Sequence, residues 1–257
     1  MAFNIRYAHT TPPNLWPDRR AAVRQVILES GADIVGMQEA LWQQVTDIDR
    51  DLPDDFEWIG LGREGGSRGE YMAVFFRASR FEPVEYDHFW LSESPATIGS
   101  HSWGNNLPRM VTWVRFRDRS TEREFYFVNT HFDHESQPSR ERSAELLLER
   151  VADFDPSLPV IATGDFNSAA NRNPVYGMLV APDAFRDTWT ETNEDEPPFG
   201  TGHGFRGPEA SAGGDRIDWI LVRGPVEALA SEIRVDHLNG QYPSDHFPVT
   251  ARVRLLR

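Results

Sequence analysis

Apolar positions along the chain fall into short runs separated by polar turns, with helical spacing in only three places. Alternating or continuous apolar runs predict strands over 2–6, 33–38, 56–61, 71–77, 81–91, 110–117, 124–129, 159–163, 217–222, 226–235 and 249–255. Ala22, Val23, Val26 and Ile27 share one helical face, predicting a helix over 19–30 that stops at Gly31. A second helix is expected over 41–52. A third, over 140–154, turns Leu146, Leu147, Val151 and Phe154 inward. This order mixes βα units with long hairpins, which fits two packed sheets with helices outside better than one doubly wound sheet. With no repeat or linker, 1–257 reads as a single domain. Met1 already lies inside the first expected strand, so further residues upstream are expected.

Polar clusters sit at the ends of the apolar runs. They are Asn4, Glu39, Asn129-Thr130-His131, Gly164-Asp165-Phe166-Asn167 and Ser244-Asp245-His246; Asp215-Arg216-Ile217-Asp218 opens another run. One strand-end carboxylate is ordinarily a turn or a helix cap, and Glu39 would then cap the 41–52 helix. Six such placements on one chain point to a site. Carboxylates, amide oxygens and imidazoles are hard ligands and acid–base groups, suited to Mg²⁺ or Mn²⁺, while zero Cys excludes thiolate chemistry. A carboxylate closing a buried strand, as at Glu39, is costly unless a cation or hydrogen bonds compensate it. Gly60-Leu61-Gly62-Arg63-Glu64-Gly65 matches the dinucleotide fingerprint literally, but a strand follows it, so it reads as a flexible hairpin loop.

Taken in order, 1–7 (MAFNIRY), 33–39 (DIVGMQE), 129–131 (NTH), 164–167 (GDFN), 216–219 (RIDW) and 244–249 (SDHFPV) resemble the endonuclease/exonuclease/phosphatase superfamily. The resemblance spans nearly the whole chain. It implies an α/β (α+β) fold, a four-layer α/β/β/α sandwich of two mixed sheets flanked by helices. It implies Mg²⁺ or Mn²⁺, one or two ions, at Asn4 and Glu39 with Asp245 as a further ligand. Asp165 resembles the residue that activates the attacking water, and Asn167 the donor to a phosphate oxygen. His246, held by Asp218, resembles the histidine on the scissile phosphate, as base or as stabiliser. In the deoxyribonuclease-like branch His131 is paired with a Glu as general acid. Glu70, within 69–77 (GEYMAVFFR), matches that Glu, and Arg109 the phosphate-contacting Arg; His134 is either a substrate contact or a surface residue. The implied activity is metal-dependent phosphoester hydrolysis of phosphodiesterase or nuclease type, by in-line attack of an activated water. The alternative is a phosphomonoesterase acting on small phosphorylated metabolites. A third reading takes His131-Phe132-Asp133-His134 as half of a metallo-β-lactamase ligand run, leaving GDFN and SDH unexplained.

Composition narrows the partners. Against 40 acidic residues stand 26 basic ones, all Arg, for a formal charge of −14. A tight nonspecific binder of duplex DNA relies on a basic face, so this balance disfavours one. A small phosphodiester, a short single strand or a phosphorylated metabolite is the expected substrate. Salt adaptation or GC-rich coding would account for the missing Lys. Phe89-Trp90-Leu91-Ser92-Glu93 and Trp103 read either as a stacking surface for a base or sugar or as ordinary packing. No run approaches the ~20 apolar residues of a membrane span, and no signal-like segment opens the chain, so a cytoplasmic protein is expected; the family resemblance implies a monomer.

Overall fold

The computed structural model describes residues 1–256. Its strands are β1 (Ala2–Asn4), β2 (Ile34–Gln38), β3 (Phe56–Ile59), β4 (Val74–Arg77), β5 (Phe81–Trp90), β6 (Met110–Asp118), β7 (Arg123–His131), β8 (Val160–Asp165), β9 (Arg186–Asp187), β10 (Asp218–Arg223), β11 (Val226–Ile233) and β12 (Val249–Leu255). They form two six-stranded sheets, ordered β11-β12-β1-β2-β4-β3 and β5-β6-β7-β8-β10-β9. Helices α1 (Trp16–Ser30) and α2 (Trp42–Asp51) cover the outer face of the first sheet. Helices α3 (Gln137–Ala152) and α4 (Pro174–Leu179) cover the second, and α5 (Thr188–Thr192) packs beside β11. Strand periodicity builds the layers: along β7, Phe125 and Phe127 enter the core between the sheets, while Tyr126 and Val128 pack under α3. This is the four-layer α/β/β/α sandwich that the sequence predicts.

Only β1–β2 and β7–β8 are parallel pairs. Their C-terminal ends carry Asn4, Glu39, His131 and Asp165. Glu70, Arg109 and His246 precede β4, β6 and β12 and Asp218 opens β10, each of these strands being antiparallel to one of those four. Topology alone therefore delivers all eight to one end of the sandwich.

Beneath that end the two sheets are bolted together. Asn129 donates to the carbonyls of Met37 (2.7 Å) and Ala73 (3.0 Å), while its Oδ1 accepts from Gln38 Nε2 (2.6 Å) and Thr163 Oγ1 (3.1 Å). Gly36 makes this approach possible, since a Cβ there would lie 2.2 Å from Thr163 Oγ1 and 2.7 Å from Asn129 Oδ1. Asn129 thus belongs to the scaffold.

Several boundaries move. β1 stops at Asn4, because Arg6 adopts a left-handed φ of 55° and turns the chain over the cleft. β4 begins at Val74, with Tyr71 held instead by bridges to Ala40 and Gly62. β7 and β8 run on to His131 and Asp165. α1 and α3 start earlier than expected, each with Pro in its first turn, α3 being capped by Ser136. α4 and α5 escaped the apolar pattern, though Asn173-Pro174 is a readable start signal and Asn173 caps α4. No helix among the described residues is long and apolar enough to cross a membrane.

Candidate active site

Asp165, at the end of β8, is a buried carboxylate. Its Oδ1 accepts from the Asn167 N–H (2.9 Å) and its Oδ2 from Asn4 Nδ2 (3.0 Å). The same Asn4 amide donates to Glu39 Oε1 (2.9 Å), so one NH₂ group bridges the two carboxylates. Burial, then the charge of Asp218, pushes Asp165 up to about 7. Glu39 is turned into the cleft by a left-handed φ of 66°, and it caps nothing: α2 starts beyond it, and the N–H of Leu41 is taken by Gln44 Oε1 (3.1 Å).

Two histidines flank Asp165. His246 Nδ1 lies 2.9 Å from Asp218 Oδ2 and 3.8 Å from Asp165 Oδ2. Burial opposes its charge, but Asp218 and Asp165 outweigh burial and hold it well above the ordinary histidine value. Across the cleft, His131 Nε2 accepts from Asn167 Nδ2 (3.0 Å), which puts the ring proton on Nδ1. That Nδ1 is buried with no hydrogen-bond partner among the described residues. Burial, then Arg109 and Arg63, holds His131 well below the ordinary value, so it is neutral.

The expected His131–Glu70 pair is not hydrogen-bonded. Glu70 Oε2 stops 3.9 Å from His131 Nδ1 because Arg63 Nη1 claims the same oxygen at 2.6 Å. Burial lifts Glu70 to about 7 despite Arg63. Arg109 is also buried; its Nη2 meets His134 Nδ1 at 2.9 Å and its Nε stands 3.6 Å from Asp133 Oδ2. Arg109 Nε and Nη1 and Arg63 Nε have no hydrogen-bond acceptor among the described residues. Buried guanidinium donors left so are costly, and an anionic ligand would satisfy them.

The metal expectation is partly rearranged. Asn4 presents its NH₂ to the carboxylates while its Oδ1 accepts from the Arg6 N–H (3.0 Å), so ligation by Asn4 requires the amide to turn over. Asp245 does not meet Glu39 directly. The Arg6 guanidinium lies between them, 3.6 Å from Glu39 Oε2 and 3.5 Å from Asp245 Oδ2, a cation already bridging two carboxylates. Ligand atoms of Glu39, His131 and Asp165 lie within 4.8 Å of one another, as do those of Asp165, Asp218 and His246. This oxygen-rich donor set, with one carboxylate destabilised by burial, fits a hard divalent cation.

The other readings fare differently. His134 is half exposed, and Asp133 Oδ1 accepts from the N–H groups of Glu135 and Ser136 ahead of α3, so the His131–His134 run gathers no ligand set of its own. Phe89, Trp90 and Leu91 are buried and belong to ordinary packing. The Gly-rich loop is a stitched hairpin rather than a flexible one, with Gly62 and Glu64 N–H groups bonded to Gly66 and Arg68 carbonyls. Sequence reasoning passed over Arg6 and Arg63; Arg63 was readable only as the one basic side chain inside that loop's fingerprint match.

The Endonuclease/Exonuclease/phosphatase family model matches residues 1–246. The chain belongs to that family. Among solved structures, the family member from Bacteroides vulgatus is 32% identical with a TM-score of 0.89, covering 99% of this chain and 97% of that one. The mannosyl-6-phosphatase of Bacteroides thetaiotaomicron is 31% identical with a TM-score of 0.90, covering 98% of both chains. Protein angel of Drosophila melanogaster is 22% identical over 179 residues, 64% of this chain and 47% of that protein. The chain spans about half the length of the curated relatives it matches. Membership in the family supports a phosphoester hydrolase and leaves the type of ester open.

Proposed function

We propose that this family member is a divalent-metal-dependent phosphoester hydrolase acting on small phosphorylated metabolites, with a phosphomonoester of a sugar as the leading substrate class. The observation that carries the reading is the convergence of Asp165, Asn167, Glu39, His131 and the Asp218–His246 pair at one end of the sandwich, beside two buried arginines with unsatisfied donors. The likeness to a mannosyl-6-phosphatase over the full chain supports the sugar phosphate. A charge of −14 weighs against long nucleic acids.

In this reading Glu39 and Asp165 would hold Mg²⁺ or Mn²⁺, and Asn4 and Asp245 would add ligands after Asn4 and Arg6 rearrange. The bound cation supplies Lewis-acid polarisation of the phosphoryl oxygens. Asp165, poised at about 7, takes the proton of the attacking water. His246 is held protonated by Asp218, so its role is to stabilise charge developing on the phosphoryl group, not to act as base. Arg109 donates to the phosphate. Asn167 has both amide protons committed, to His131 Nε2 and the Phe132 carbonyl, and exchanges one of them for a phosphate oxygen. The chain acts as one domain and as a monomer.

A substrate panel with Mg²⁺ or Mn²⁺ tests this: p-nitrophenyl phosphate, bis-p-nitrophenyl phosphate, mannose 6-phosphate, a dinucleotide, poly(A) and plasmid. Monoester turnover exceeding diester turnover is expected. Nicking of plasmid or exclusive diester cleavage would return the site to the phosphodiesterase reading.

A further inference from the structure

Arg63 lies in the hairpin between β3 and β4, and its position there is fixed through the backbone. Its N–H donates to the Glu70 carbonyl (2.9 Å), and its own carbonyl accepts from Trp90 Nε1 (2.7 Å). The side chain is therefore free to do something else, and what it does is hold Glu70 at 2.6 Å while both groups are nearly buried. One carboxylate oxygen, Glu70 Oε2, thus has two suitors. Arg63 has it, and His131 Nδ1–H, buried without a partner among the described residues, stands 3.9 Å away. Arg63 Nε, like Arg109 Nε and Nη1, lacks an acceptor on the same side of the cleft. A buried proton on His131 and a buried donor of Arg63 are unsatisfied beside one carboxylate, and two donors of Arg109, whose neighbouring carboxylate is Asp133, are unsatisfied as well. One anion arriving at the arginines would settle every one of them.

We infer that Arg63 is a positioning residue that clamps Glu70 away from His131 and hands it over when a phosphoryl group engages the arginines. The inference rests on the proposed phosphoester function for the identity of the anion, but not for the clamp itself. Once Arg63 turns toward phosphate, Glu70 closes the remaining distance to His131 Nδ1–H and orients the ring, as carboxylates orient imidazoles elsewhere. The His131–Glu70 pair then exists only in the substrate complex. No covalent step is involved; one ion pair is exchanged for a charged hydrogen bond and a guanidinium–phosphate contact.

Proton NMR of the full chain with Mg²⁺ tests this, reading the downfield imidazole N–H resonance of His131, identified by its loss in His131→Asn. The wild type alone is expected to lack the carboxylate-bonded resonance and to gain it on adding inorganic phosphate. Arg63→Met is expected to carry it without phosphate, and Arg63→Met/Glu70→Gln to lose it again. Arg63→Gln serves the same purpose should the Met variant unfold. In turnover of p-nitrophenyl phosphate, Arg63→Met raises KM about 10-fold or more, the loss of a charged hydrogen bond. In the Glu70→Gln background it lowers kcat no further, whereas a merely structural Arg63 would add its own loss. A resonance already present in the ligand-free wild type, or none in Arg63→Met with ester turnover intact, overturns the clamp alone. A wild type that neither turns over any ester nor responds to phosphate, while Arg63→Met shows the resonance, leaves the clamp standing and overturns the phosphoryl reading.

Discussion

His246 and His131 stand on opposite walls of the same cleft, each beside a buried carboxylate, yet one is charged and the other neutral. His246 meets Asp218 at 2.9 Å and is held protonated; His131 is 3.9 Å from Glu70, faces Arg63 and Arg109, and is held neutral. Burial depresses both rings, so burial does not distinguish them. The difference lies in about one ångström of carboxylate placement and in which side of the cleft the arginines occupy. One wall is preassembled, and the other is held open by a competing cation.

The comparison breaks most sharply on the preassembled wall. Asp165→Ala and His246→Ala are each expected to lower kcat by roughly 10²–10⁴-fold or more with the fold intact by circular dichroism, since the proposed mechanism sets both groups on the reacting atoms. Near-full turnover in either would remove the wall from the chemistry. Chelation is expected to abolish turnover as well, with Mg²⁺ or Mn²⁺ restoring it and Ca²⁺ alone failing. Full activity in chelator would sink the cation site.

A thermal measurement sharpens the electrostatics. Asp165 titrates at about 7 in the fold against 3.8 for a free carboxylate. The folded state therefore binds a proton more readily than the unfolded one between those values. Its contribution to stability is complete below about 4 and is lost as pH rises through 7. Asp165→Asn keeps a neutral side chain at every pH, so in chelator its Tm advantage over the wild type should be larger at pH 8 than at pH 5. An equal offset at both values would contradict the burial argument. The smallest effect belongs to His134→Ala. The ring is half exposed and touches Arg109 through one 2.9 Å contact, so a change in kcat/KM within about 10-fold is expected. A loss as large as that of His246→Ala would move His134 into the reacting shell.

The ordered motifs at the strand ends made the membership, the layered fold and eight residues that gather at the candidate site readable from the sequence. That was possible because apolar periodicity marks strand ends and chemistry collects there. Three details were not readable. Asn129 opened one of the polar clusters at the strand ends, yet it ties β2 and the residue ahead of β4 to β8, because only the packed sheets bring Met37, Ala73 and Thr163 around it. Glu39 had a helix cap as its plain alternative, and only a left-handed φ with Gln44 already serving Leu41 removed it. Arg63 lay in a loop that looked flexible and is stitched.

The linear chain by itself determined which residue types exist at which strand ends, hence the family and its class of chemistry, because strand period and motif order are local properties. Which oxygen each cation holds was decided only in three dimensions. Arg63 is seven residues from Glu70, whereas His131 is sixty-one away, and the sharing of one carboxylate oxygen between them depends on the distance between two sheets to within an ångström. No pattern in the sequence encodes a separation that packing alone sets.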